Sequence, residues 1–199
     1  MFELAFIEQC ADPGVEIAIV ERFVAAVGTD NPLAMSITSG NRTILPEPPR
    51  TPEEALRLTA HFVDKAVVRV GVTQYPAGYG ISEATELSPG LFDACENIRM
   101  GSALFGKVYR IVAHARGEDA TNIFADAVTA WRTGIFERAY VFGQADPGPL
   151  SSEEDARAHK SSSDESLDEE NPRMSQEQTK DHNPYDAGIR VDLSTINEP

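Results

Sequence analysis

The chain changes character at Ser151, and that break decides how much of it can fold. Residues 151–199 hold 5 Lys and Arg against 13 Asp and Glu, whereas residues 1–150 hold 12 against 19. A quarter of the 199 residues thus carries about half of the net charge of −15. The run Ser161-Ser162-Ser163-Asp164-Glu165-Ser166-Leu167-Asp168-Glu169-Glu170 offers too little apolar surface to offset the entropy of ordering it. Residues 151–199 are therefore expected to be a disordered acidic tail, dispensable for folding and serving solubility or an electrostatic contact with a basic partner. Residues 1–150 are expected to form one globular domain. The chain is 41% hydrophobic, enough for one core, and a body of this size buries roughly 70% of its extended surface.

The same charge balance limits the partners. Phosphate contacts dominate nucleic-acid affinity and need clustered Lys or Arg. The body's basic residues are scattered, so no direct nucleic-acid partner is expected. The longest apolar stretches, such as Ala66-Val67-Val68 and Ile111-Val112-Ala113, fall far short of the roughly 20 residues of a membrane span. The start, Met1-Phe2-Glu3-Leu4-Ala5-Phe6-Ile7-Glu8, has acids where a signal peptide wants Lys or Arg. This predicts a cytoplasmic protein, or a periplasmic one exported by another route. Two cysteines and four dispersed histidines, His61, His114, His159 and His182, show no metal-ligand spacing, and no cofactor motif appears.

Periodicity predicts a mostly helical, α+β body. Asp12-Pro13 opens a first helix with Val15, Ile19, Phe23 and Val27 on one stripe. Ala34–Thr38 and Arg42–Leu45 flank Ser39-Gly40-Asn41, a small β-hairpin. Thr51-Pro52-Glu53-Glu54 caps a helix with apolar residues at Ala55, Leu58, Phe62 and Ala66. Residues 69–90 read as an irregular, Gly/Pro-punctuated loop region. Helices follow near 91–115 and 119–133, with a short one near 135–143.

Three strings stand in one order: Gly71-Val72-Thr73-Gln74, Leu91-Phe92-Asp93-Ala94-Cys95-Glu96-Asn97-Ile98 and Val128-Thr129-Ala130-Trp131-Arg132-Thr133-Gly134. With Cys10-Ala11-Asp12-Pro13 and Ala18-Ile19-Val20 upstream, residues 8 to 142 resemble the lysozyme-like lytic transglycosylases of type IV secretion and conjugation systems. The corresponding strings there read roughly G-L-x-Q-I, F-D-P-C-x-N-I/L and L-S-A-Y-N-T-G. The resemblance implies a lysozyme-like domain in which Gln74, Tyr75 and Trp131 are candidate glycan-binding residues, with Tyr79 a similar aromatic. Arg132 stands where the family has a neutral Asn. Tyr75-Pro76 replaces its Ile-Asn.

The family's catalytic Glu, in an Ile-Val-x-x-Glu-Ser helix, has no counterpart. Counting forward from Ile19-Val20 places it on Phe23; counting back from Asn31-Pro32 places it on Val27. Glycosidic cleavage needs a protonated carboxyl beside the leaving oxygen, and general acid–base groups contribute about 10²–10⁴-fold. Phe and Val supply neither proton nor base. The nearest acids are Glu16, Glu21 and Asp30, and Glu21, about 200° round the helix from Phe23, is expected to point away from the cleft. The scaffold is therefore expected to be a non-catalytic pseudoenzyme. The alternative is an active transglycosylase whose acid has moved to Glu21 or Asp30.

Cys10 and Cys95 fall where exported relatives in that family carry cysteines, so the resemblance implies a disulfide. Its loop of about 85 residues would be worth roughly 4–5 kcal/mol in the chain-entropy model. In a reducing cytosol the pair would instead be buried thiols in contact. A narrower resemblance, carried by Ile19-Val20-Glu21-Arg22-Phe23-Val24-Ala25-Ala26-Val27-Gly28 and Ala66-Val67-Val68-Arg69-Val70-Gly71-Val72-Thr73-Gln74, is to the TraH conjugal-transfer proteins of rhizobial and agrobacterial plasmids. It implies a role in conjugation, with type IV secretion proteins as partners and peptidoglycan as the glycan such a scaffold would hold.

Overall fold

The computed structural model describes residues 2–40, 42–117 and 120–150. The expected acidic tail, 151–199, lies outside the described residues. The body is mostly helical with a small antiparallel sheet. Its helices are α1 (Leu4–Cys10), α2 (Ile17–Val27), α3 (Pro52–Phe62), α4 (Ala94–Arg116) and α5 (Ile123–Thr133). Its strands are β1 (Met35–Ser39), β2 (Arg42–Ile44), β3 (Val67–Val70) and β4 (Tyr75–Pro76), with a separate two-strand ribbon β5 (Ile135–Phe136) and β6 (Ala139–Tyr140).

Helix α4, 23 residues long, is the axis of the core. It packs against α1, α2, α5 and β4. Asp93 caps its start, its Oδ1 accepting the Glu96 N–H at 2.8 Å, which satisfies a donor that the first turn would otherwise leave bare. Buried Ile98, Leu104, Phe105, Val108, Ile111 and Val112 follow the three-and-four spacing of a helix enclosed on one broad face. Helix α3 starts as its sequence predicts: Thr51 Oγ1 accepts the Glu54 N–H at 3.2 Å, with Pro52 in the first turn.

The sheet order is β2-β1-β3-β4, every pair antiparallel. The expected hairpin forms, with Ile37 opposite Ile44 and Ser39 opposite Arg42. The stretch 69–90 differs from the irregular loop expected. It contains the end of β3 and the short β4, because Gly71–Gln74 reverses the chain and lays Tyr75-Pro76 back on Arg69-Val70. Two-residue pairing leaves too short an alternation for sequence to show.

Two further expectations are corrected. Asp12-Pro13 does not open a helix. Asp12 Oδ1 accepts the Gly14 N–H at 2.9 Å in a local turn, and α2 begins only at Ile17. The buried stripe of α2 is accordingly Val20, Phe23 and Val24. Residues 135–143 form no helix of the expected kind: Glu137 and Arg138, at φ 48° and 69°, turn the chain between β5 and β6, and one 3₁₀ turn, Val141–Gly143, follows.

Candidate functional site

The loop Gly71–Gln74 is the junction of sheet and helices. Gly71 has φ 72°, and a Cβ there would lie 2.2 Å from Asn97 Nδ2. Only glycine meets both demands. Asn97 on α4 is fully buried and spends its amide on this loop. Its Oδ1 accepts from Thr73 N (2.9 Å) and Thr73 Oγ1 (2.8 Å), while its Nδ2 donates to Leu91 O (2.8 Å) and Val70 O (3.3 Å). Trp131 Nε1 on α5 donates to Thr73 O at 3.1 Å. Among the described residues no buried side-chain polar atom is left without a partner.

Gln74 takes φ 53°, uncommon for a residue with a Cβ. Both ends of its side chain are engaged: Nε2 donates to Gly71 O at 3.1 Å, and Oε1 accepts from Ser36 Oγ at 3.2 Å. Its backbone O accepts from Arg69 Nη1 at 3.2 Å, and Arg69 Nη2 donates to Trp131 O at 2.5 Å. Burial pushes the Arg69 guanidinium down to about 10, still protonated near neutral pH. Arg69 was not singled out in the sequence. The alternation Val67-Val68-Arg69-Val70 places it on the face opposite buried Val68 and Val70.

Trp131 is 0% exposed, so neither ring face is open to a sugar in this structure. Phe23 and Phe142 meet it edge-on at 5.0 and 5.5 Å between centroids. Tyr75 is buried too, and desolvation, with Tyr79 and Tyr140 nearby, pushes its phenol up to about 12. Tyr75 and Tyr79 nevertheless border a pocket of about 330 Å³ with Met100, Leu104, Lys107 and Asp146. Lys107 Nζ donates to Phe142 O at 2.8 Å and stands 5.6 Å from the Tyr79 ring centre.

Both positions aligned with the family acid lack any carboxylate chemistry. Phe23 is 0% exposed and stacks on Phe105 with centroids 4.0 Å apart. Val27 ends α2. One residue earlier, Ala26 O accepts from Arg132 Nη2 at 2.6 Å, a cation placed where a helix C-terminus favours one.

The chain matches the TraH_2 family over residues 1–198. It belongs to that family. It is also similar to an uncharacterized protein, y4dP, of Sinorhizobium fredii: 48% identical over 153 residues, covering 74% of this chain and 76% of that protein. No solved structure matches it.

The two acids considered as alternatives line one groove. Glu21 and Asp30 both line a groove of about 680 Å³ whose other walls include Phe2, Leu4, Ile7, Val24 and Ala25. This groove does not include Phe23; its second wall is α1, a helix that sequence reasoning did not anticipate. At the end of α1, Cys10 is bonded to Cys95, with Cα atoms 4.9 Å apart. They border an acidic cleft of about 830 Å³ with Glu8, Asp12, Glu16, Asp93 and Glu96. No helix among the described residues is long and apolar enough to cross a membrane.

Proposed function

We propose that this chain is a non-catalytic, lysozyme-like component of plasmid conjugal transfer, working alongside type IV secretion proteins by binding a partner or glycan. Membership of the TraH_2 family supports the transfer role. The observation that carries the non-catalytic half is Phe23, enclosed between Phe105 and Trp131, with a guanidinium beside the end of α2. A site with no acid at that place has no proton to give a leaving oxygen. Purified protein incubated with peptidoglycan should release no soluble muropeptides from acidic through neutral pH.

A second reading has one observation in its favour. Glu21 and Asp30 line one groove whose other walls are mostly apolar, and a relocated acid would have to stand in such a concavity beside the leaving oxygen. Muropeptide release that Glu21→Gln or Asp30→Asn abolishes would replace the first reading with this one.

The Cys10–Cys95 bond supports work in an oxidising compartment, the periplasm for a bacterial transfer protein. Thiol blocking of donor cells before lysis checks this. The pair should resist alkylation until reductant is added, and free thiols in untreated cells would place the protein in the cytoplasm.

A further inference from the structure

The groove along α1 and α2 is an apolar channel with acid on its side. Among the described residues nine line it, Glu21 and Asp30 with them, and no Lys or Arg. Leu4 is 57% exposed there, a large apolar side chain standing in solvent beside Phe2, Val24 and Ala25. No hydrogen bond or ion pair engages Glu21 among the described residues. Helix α1 is thinly held. It has seven residues, no side-chain cap and only Ile7 and Cys10 buried, and a helix this short is marginal by itself. The disulfide to Cys95 on the first turn of α4 ties it down, so one wall of the groove depends on that bond.

We infer that this groove docks an amphipathic helix of a partner protein, one carrying Lys or Arg beside its apolar stripe, with the cation placed on Glu21. The inference rests on the reading that the chain acts by binding, and it names the class of partner. Charge complementarity argues for the cation. The Glu21 carboxylate, on a chain of net charge −15, steers and orients positive segments and repels acidic ones. Shape argues for a helix. The groove is walled by residues of α1 and α2, by Phe2 ahead of α1 and by the segment after α2, and no strand among the described residues lines it. A bound segment finds no backbone edge to extend, which leaves apolar side chains laid between helices.

The test uses the full chain in its oxidised form. The probes are two labelled synthetic helices of about 14 residues, one of Leu and Lys in heptad pattern and one of Leu and Glu. Fluorescence anisotropy at physiological salt should show the Lys peptide binding at least about tenfold more tightly than the Glu peptide. Ala25→Trp, at an exposed position that fills the channel, and Glu21→Lys should each weaken it about tenfold. Reducing the disulfide should weaken it similarly by releasing the α1 wall. Lys-peptide affinity unchanged in both variants would put binding elsewhere on the acidic chain and overturn the inference. Self-association that Ala25→Trp abolishes would also overturn it, making a second copy the occupant. Failed peptide binding with no muropeptide release removes this inference alone. Muropeptide release removes the non-catalytic reading, whatever the peptide does.

Discussion

The junction around Gly71–Gln74 and the groove along α1 and α2 lie on opposite sides of one question, what the shared strings of this chain are for. At the junction Asn97, Thr73 and Trp131 are buried and bonded to one another or to loop carbonyls. In the groove Leu4 is 57% exposed and Glu21 half-buried. Residues of the strings that resemble lytic transglycosylases thus converge where the fold consumes them. Such strings report the scaffold. They say nothing of the chemistry, because an amide already holding Thr73, Val70 and Leu91 has no capacity left for a sugar.

The largest expected effect lies at the junction. Trp131→Ala removes a fully enclosed ring and should lower unfolding free energy by about 3–5 kcal/mol. Asn97→Ala strands Thr73 N–H and two carbonyls in the interior, each buried group costing about 1–3 kcal/mol if unsatisfied. Glu21→Gln, a half-buried and nearly isosteric change in the groove, should stay within about 0.5 kcal/mol. Urea melts of the three variants measure the contrast. Near-equal losses at Trp131 and Glu21 would mean that the groove, too, is part of the packed core.

Elements with their own caps or turns were the legible part of this fold. The α3 start is written in Thr51-Pro52-Glu53-Glu54, and the hairpin in the short apolar runs around Gly40, because caps and turns act over a few residues. What sequence hid was set by distant partners. Strand β4 has two residues and exists only because β3 offers an edge. Helix α1 is one turn too short to show a period, and is held by a cysteine 85 positions away. The site was legible in its strings and illegible in their use. Trp131 reads equally as a sugar platform or a core ring until Phe23 and Phe142 are seen against it. The groove that Glu21 lines does not include Phe23, and it was hidden because its second wall is α1.

A smaller effect tests how far the junction's rigidity extends to the end of the described chain. Arg110 on α4 holds Asp146 by two hydrogen bonds, Nε to Oδ1 at 2.9 Å and Nη2 to Oδ2 at 2.5 Å. The Arg110 hydrogen bond, with a lesser one from the Gly148 N–H, holds the Asp146 carboxyl at about 2, against an ordinary 3.8. The folded state therefore binds its proton more weakly than the unfolded chain. The stabilisation is complete above about pH 3.8 and is lost as pH falls through about 2. Asp146 is 40% exposed, and solvent screening keeps such a pair to about 1 kcal/mol or less. Wild type should exceed Asp146→Asn by that amount at pH 6 and converge with it near pH 2 in chemical melts. A difference that persists at pH 2 would show that the side chain's packing, and not its charge, pins residues 144–148 to α4.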